Sequence, residues 1–330
     1  MPIIHALIKA NFTPIIASDG DALLFLQKEF PLLKSYTLPS YNIKYNKNGK
    51  SLKNKLLFSV PSIISAVKKE KQIVSEIVAK NNICGIISDN RFGVYSSKIP
   101  SVYITHQVNV FSGNTSFITS KIHQNIIRKF DECWVPDIKE KPNLSGKLSY
   151  LNKESLNLKF IGVLSRFKKS KKKLKYDLLV VLSGVEPQRS LLEIKLLEEL
   201  KYFEGKVLFV RGVLSNVEKL NAPEQIKIEN YLLSAELEKA MIESKIIVAR
   251  SGYSTIMDLA VLGKKAFFIP TPGQFEQEYL AQHLSENLIA PFSKQESFTE
   301  LDFDNLKYFN GFDTLKTEVN LDIFSLFNTK

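Results

Sequence analysis

The stretch whose residue types and spacing point most directly to chemistry is Arg250-Ser251-Gly252-Tyr253-Ser254-Thr255. A short apolar run, Ile246 to Ala249, precedes it. Ile256, Leu259, Ala260 and Val261 follow at helical spacing, up to Gly263. That order reads as strand, loop and helix, and a second apolar run, Ala266 to Ile269, closed by Pro270, completes a βαβ unit. Small and hydroxyl-bearing residues at a helix start suit an anion, typically a phosphate. Unpaired backbone N–H groups and the positive end of the helix dipole converge there. Asp258 lies one turn past Ser254, in reach of a ribose if a diphosphate sits at the helix start. The plainer alternative makes Ser251 and Ser254 ordinary caps and Asp258 a solvated face residue.

Three further places carry polar groups at the ends of apolar runs. Ser88-Asp89-Asn90-Arg91-Phe92-Gly93 follows one run and Thr105-His106-Gln107 another. In open α/β sheets, ligands bind beyond the carboxyl ends of strands. A neutral His106 imidazole there can take a proton from an acceptor hydroxyl near neutral pH, or bind substrate. The alternative is a structural histidine that holds Asp89. The third place is Ser183-Gly184-Val185-Glu186-Pro187-Gln188-Arg189, where Arg189 offers charge-assisted bonds to phosphate. A plain turn with Pro187 at the helix start reads equally well for Glu186 and Gln188. His5, His123 and His283 fall on helical stretches and read as structural. No metal-ligand spacing joins any two histidines. The Asp-x-Asp pairs at Asp19 and Asp302 read as turn chemistry.

Arg-Ser-Gly-x-x-Thr-x-x-Asp-Leu-Ala, then a strand ending in proline, then Gln277 before a helix, resembles the donor-binding segment of GT-B glycosyltransferases. The likeness is strongest to the family 28 C-terminal domain. The resemblance implies two Rossmann-like doubly wound domains facing a cleft, and no bound metal or cofactor. It implies a nucleotide-diphospho-sugar donor, UDP-linked in this family. Carried onto this chain, the donor set is Ser183, Gly184, Arg189, Arg250, Ser251, Gly252, Ser254, Thr255, Asp258, Gln277 and Glu278. Tyr231 and Leu232 are weaker candidates, beside the donor base. Glu278 and Ala281 stand where the lipid II-forming members of the family have Gln and Asn, which bears on which sugar is bound. Asp89, Arg91 and Gln107 fall on the acceptor side, with His106 as the catalytic candidate. The pair Asp-Asn-Arg-x-Gly and Ile-Thr-His-Gln resembles a group of bacterial family 28-like transferases.

The elements that must position these residues alternate along the chain. Helical periodicity covers Pro2–Lys9, 22–30, 56–80 with a kink at Pro61, and 118–130. Short strands fall at 12–17, 35–38, 83–88, 102–105 and 133–135. Such alternation predicts a parallel, doubly wound α/β sheet. A Rossmann-like half ordinarily opens with a strand and a Gly-rich turn, and this sequence opens within a helix. The expectation is a start upstream of Met1, with loss of that loop as the alternative. The boundary between an acceptor-side half, 1–155, and a donor half, 156–330, falls in a segment marked by Pro136, Pro142, Gly146 and a lysine run at Lys168–Lys173.

The chain has 330 residues, enough for two such domains, with 44% hydrophobic and 24% charged residues. Its net charge of +11 suits phosphate-bearing substrates or an anionic lipid surface, and no nucleic-acid module accompanies it. Cys84 and Cys133 read as reduced core residues. No run has the length of a membrane span, and the opening residues do not read as a signal peptide. The expected location is cytoplasmic, with the inner membrane face as a place of peripheral contact. The Lys- and Tyr-bearing loop Tyr41–Lys55 is a candidate for that contact. The acceptor is unidentified, a lipid-linked or membrane-associated one being a candidate. The expected activity is hexosyl transfer. The rivals are a UDP-sugar 2-epimerase, which needs more carboxylates and histidines in the cleft, and an inactive nucleotide-sugar-binding protein.

Overall fold

The computed structural model describes residues 1–41, 52–151, 155–213, 220–313 and 323–328, with the side chains of the long third helix from Ser62 onward. The first half contains α1 (Pro2–Lys9), β1 (Ile16–Ser18), α2 (Gly20–Glu29), β2 (Ser35–Thr37), α3 (Leu52–Lys80), β3 (Ile86–Asp89), β4 (Ser101–Ile104), α4 (Ser116–Ile127), β5 (Glu132–Val135) and β6 (Leu158–Phe160). The second contains β7 (Tyr176–Val181), α5 (Gln188–Glu199), β8 (Val207–Val210), β9 (Ile226–Glu229), α6 (Ser234–Ile242), β10 (Ser244–Ala249), α7 (Tyr253–Leu262), β11 (Lys265–Phe268) and α8 (Phe275–Glu286). The helix expected from residue 56 begins at Leu52 and is continuous through Pro61. Most of the Tyr41–Lys55 loop lies outside the described residues.

The second half is a five-stranded parallel sheet in the order β11-β10-β7-β8-β9. Strand order reverses between β7 and β10, which makes that junction the switch point where a crevice opens. The register aligns Val181 of β7 with Ala249 of β10, so the loops after both strands leave the sheet side by side. Alternating side chains feed two cores. Leu179, Ile247 and Phe268 face α7 and α8, while Leu178, Val180, Val248 and Phe267 face α5 and the 3-10 segment Glu300–Tyr308. Covering both faces is what permits continuous apolar strands in a parallel sheet. Gly263 closes α7 at φ 65°, where an L side chain would be strained.

The first half has a four-stranded parallel sheet, β3-β4-β5-β6, and a separate parallel pair, β1-β2. Asp89 pairs with Ile104, and Ile104 with Trp134, so Asp89 and the Thr105–His106 segment leave adjacent strand ends. Two findings revise the expected division at residue 155. Strand β6 pairs with β5, which puts Leu158–Phe160 in the first sheet. Ile323, Phe324 and Phe327 pack with Trp134, Val102 and Ile104, so the end of the described chain returns to the first core. Cys133 is buried as expected, and burial pushes its thiol pKa up to about 12; Cys84 is exposed, not a core residue.

Candidate active site

The β10–α7 junction is open where a donor phosphate was expected. No side chain caps the start of α7, whose first-turn N–H groups have no intrahelical acceptors. A Cβ added at Gly252 would meet nothing within 4 Å. Ser254 is exposed and Thr255 half-buried on this first turn. Across the switch point, Ser183 and Gly184 form an exposed turn. Gly184 sits at φ 106°, a conformation glycine adopts without strain, and again faces open space.

Asp258 lies one turn into α7, and its Oδ1 accepts a 2.6 Å hydrogen bond from Ser165 Oγ in the segment after β6. Burial raises its carboxyl pKa to about 6, against the Ser165 bond and the positive charges of Arg166 and the Met1 ammonium. A carboxylate held partly desolvated gains by accepting two hydroxyl hydrogen bonds, such as those of a ribose.

Several sequence-predicted ligands point elsewhere. Ser251 is fully buried, and its hydroxyl donates to the Gln277 carbonyl at 2.7 Å. Arg250 is 1% exposed; its guanidinium donates to the carbonyls of Ile269, Pro270 and Gln188 and to Gln295 Oε1. These partners are carbonyl and amide oxygens without charge, and burial lowers its pKa to about 10. It ties β10, β11 and α5 together beneath the opening. Arg189 is also buried, held by Glu186 at 2.6 Å, by Glu193 at 2.8 Å and by the Arg211 carbonyl. Its charge is met by these partners and is not directed at the α7 opening. Gln277 lies within the first turn of α8, not before it. Its Oε1 accepts from Thr271 N at 2.8 Å, as Glu278 Oε1 accepts from Gly273 N at 2.9 Å. Both side chains therefore fold the 271–273 turn onto α8, leaving the Gln277 amide nitrogen with hydrogen bonds to give. On β9's far end, Tyr231 carries Lys28 of α2 over its ring at 5.1 Å.

On the opposite wall, Asp89 is exposed at the end of β3. Surrounding protein raises its carboxyl pKa, while the Met1 ammonium and His106 pull the other way. Arg91 does not reach the cleft as a free cation. It pairs with Asp19 and with the fully buried Glu70 at 2.5 Å, and donates to the Pro39 carbonyl. Gln107 stays half-buried beside the strand end, its backbone N–H donating to Thr105 Oγ1.

His106 crosses the cleft. Its Nε2 lies 2.6 Å from Glu276 Oε1 at the start of α8, and its ring stacks on Tyr253 with centroids 4.0 Å apart and planes 7° from parallel. The histidine thus stands over two helix starts of the other half. Tyr253 is itself fixed by its hydroxyl, which donates to the Pro136 carbonyl at 3.0 Å. Sequence reasoning did not single out Glu276 or Tyr253. The usable signal was a carboxylate in the first turn of the helix that carries Gln277.

The other histidines are structural, as expected. His123 is buried with Nε2 3.0 Å from the Tyr103 hydroxyl, and burial lowers its pKa to about 4. His283 Nε2 meets the Asn143 carbonyl at 2.9 Å, and His5 packs on Phe30. Among the described residues, no cluster of three His, Cys, Asp or Glu is arranged to hold a metal ion. Asp302 caps Thr299 and accepts from Ser293.

Residues 184–306 match the glycosyltransferase family 28 C-terminal domain. The match falls within the second half. Its boundaries take in the Gly184 turn, α7 and α8, which together line the opening described above. Across most of its length the chain is similar to the UDP-N-acetylglucosamine--N-acetylmuramyl-(pentapeptide) pyrophosphoryl-undecaprenol N-acetylglucosamine transferase of Haemophilus influenzae. Identity is 24% over 318 residues, 91% of this chain and 84% of that protein. Among solved structures, the kitacinnamycin glycotransferase aligns with TM-score 0.62 at 12% identity, over 92% of this chain and 84% of its own. Acinetobacter baumannii MurG aligns with TM-score 0.52 at 16% identity, over 94% and 87%. The fold is GT-B: two α/β halves with parallel sheets, the second holding the family 28 match.

Proposed function

We propose that this protein transfers a hexosyl group from a nucleotide-diphospho-sugar, a UDP-sugar by likeness to its relatives, to an acceptor hydroxyl. The observation that carries the reading is the uncapped start of α7 at the sheet's switch point, with Asp258 one turn on and His106 facing it from the other half. In this reading the donor diphosphate lies on the first turn of α7, held by backbone N–H groups, Ser254 and Thr255, with the Ser183–Gly184 turn closing over it. Asp258 takes the ribose hydroxyls, exchanging its bond to Ser165 for them. The Gln277 amide nitrogen and Glu278 lie nearest the sugar. Asp89 and Gln107 line the acceptor side.

The chemistry is a displacement at the anomeric carbon. The acceptor oxygen forms the new bond as the bond to the diphosphate oxygen breaks, and the electron pair leaves with the nucleotide. His106 takes the hydroxyl proton through Nδ1, the nitrogen not engaged by Glu276. The helix start offsets the charge that grows on the leaving diphosphate.

The acceptor suits a lipid carrier at the cytoplasmic face of a membrane, since the Haemophilus relative is named for a pyrophosphoryl-undecaprenol acceptor. No helix among the described residues is long and apolar enough to cross a membrane. Supporting peripheral contact, Phe117, Ile118 and Ile122 of α4 are each more than half exposed, with Lys121 over the Phe117 ring. An apolar strip with a cation beside it suits an anionic lipid surface.

Calorimetric titration with UDP, GDP and their sugar derivatives tests the donor site, beside an Asp258→Ala control. Saturable binding of one nucleotide, lost in the control, is the expected result. Binding that survives the substitution would remove Asp258 from the site, and binding of no nucleotide would overturn the reading.

A further inference from the structure

We infer that Glu276 is the positioning residue for His106, supplied across the cleft by the opposite half. The inference rests on the reading of His106 as the base, and it adds what makes that imidazole competent. The two side chains are each about a quarter exposed, at 23% and 28%, so their 2.6 Å contact is partly withdrawn from water. The glutamate carboxylate has only acceptor oxygens, so it selects the tautomer with the proton on Nε2 and leaves Nδ1 as the ring's lone pair. The 4.0 Å stack on Tyr253 fixes the plane in which that lone pair points. Tyr253 cannot drift, because its hydroxyl is anchored to Pro136 in the segment leading out of β5.

The arrangement also carries a proton balance. When Nδ1 takes the proton of the acceptor hydroxyl, the ring becomes an imidazolium, and the carboxylate already bonded to Nε2–H stabilises that cation. When the proton leaves to solvent, the starting tautomer is restored. Glu276 touches no reacting atom and acts through His106.

Because His106 follows β4 of the first half and Glu276 opens α8 of the second, neither half holds an oriented base by itself. The base is assembled only while the cleft keeps the geometry seen here. Glu276 lies in the first turn of its helix, where the helix dipole favours an acidic side chain. Among the described residues, the Glu276 side chain bonds to the histidine of the other half and to no group of its own half.

The test has two parts that do not depend on each other. In 1H NMR of protein labelled with 15N-histidine, the wild type is expected to show a low-field Nε2–H resonance that disappears in His106→Asn. That resonance is expected to vanish in Glu276→Ala and to weaken in Glu276→Gln. Its persistence in Glu276→Ala overturns the inference. The second part measures UDP release from UDP-N-acetylglucosamine with water as acceptor. Glu276→Ala is expected to lower kcat by roughly 10–100-fold, the range for residues that orient a functional histidine, with donor KM changed by less than about twofold. Glu276→Gln falls between it and the wild type. In a His106→Ala background the same change should cost nothing further, since both act through one imidazole. A rise in donor KM with kcat intact would make Glu276 a sugar contact and overturn the inference. An equal extra loss in the His106→Ala background would do the same. A wild type that neither binds UDP nor releases it sinks the donor reading instead, and the imidazole resonance then decides the pairing alone.

Discussion

Asp258 of α7 and Ser165 of the segment after β6 meet at 2.6 Å, and the hydrogen bond occupies the carboxylate that the donor ribose is proposed to need. The same carboxyl is held with its pKa raised to about 6 by burial. A raised acid pKa costs stability wherever the unfolded chain is ionised and the folded one resists it. That cost is absent below about pH 3.8, grows as pH rises to about 6, and stays constant above. Asp258→Asn, which keeps an acceptor for Ser165, should therefore stabilise the ligand-free protein above pH 6 by up to roughly 3 kcal/mol. It should at the same time lose UDP binding. Thermal melts with and without UDP, at pH 4 and pH 7.5, give both readings. A variant no more stable than the wild type at pH 7.5 would contradict the desolvated carboxylate.

His123 behaves in the opposite sense. Its pKa is lowered to about 4 by burial against the Tyr103 hydroxyl, so the folded state resists protonation that the unfolded chain accepts. Stability held above pH 6.5 is lost as pH falls toward 4, by up to roughly 3 kcal/mol. His123→Phe should flatten that limb of the denaturation midpoint against pH. Between pH 4 and 6 the two groups oppose each other, and the two variants separate their contributions.

Glu193 sits between two buried guanidiniums, Arg189 at 2.8 Å and Arg211 at 2.8 Å. Its own pKa falls, since the hydrogen bonds and charges of both arginines outweigh the burial that opposes them. Glu193→Ala would leave two buried cations short of an anion, and should destabilise by roughly 3–5 kcal/mol. Arg189→Ala should also lower the melting temperature while leaving UDP affinity within about twofold. Urea denaturation beside calorimetry checks both. A large loss of UDP affinity in Arg189→Ala, without loss of stability, would return Arg189 to the phosphate site.

The exposed strip on α4 gives a fourth test. Co-sedimentation with vesicles containing phosphatidylglycerol should fall severalfold in a Phe117→Ser, Ile118→Ser double variant. Binding by the wild type should weaken between low and high salt, because a surface charge attraction is screened within about 10 Å at 0.1 M. Equal binding by the variant would move the contact elsewhere, for instance to residues 42–51.

What the sequence makes legible follows the range of each interaction. Strand β10, helix α7 and the Gly263 terminus are written in local periodicity and a C-cap, and they stand where those signals put them. The Gly252 opening is equally local. Arg91, Arg189 and Arg250 show the limit: each has the chemistry of an anion ligand, and each is consumed by the fold. Arg91 meets Glu70 at a separation of 21 residues, and Arg250 meets Gln295 at 45. No local pattern marks such partners. The pairing of β6 with β5 and the contact of His106 with Glu276, 170 residues apart, are likewise products of tertiary assembly.

The return of Ile323, Phe324 and Phe327 to the core around Trp134 means that the polypeptide passes between the halves twice. Phe312 belongs to the second core. A single cut in the lysine-rich stretch 168–173 would therefore not release two bodies. The nicked molecule should elute as one particle in gel filtration, and a second cut between 313 and 323 would be needed to part it. For the cleft, two points of attachment between the halves leave far fewer directions of travel than one would allow.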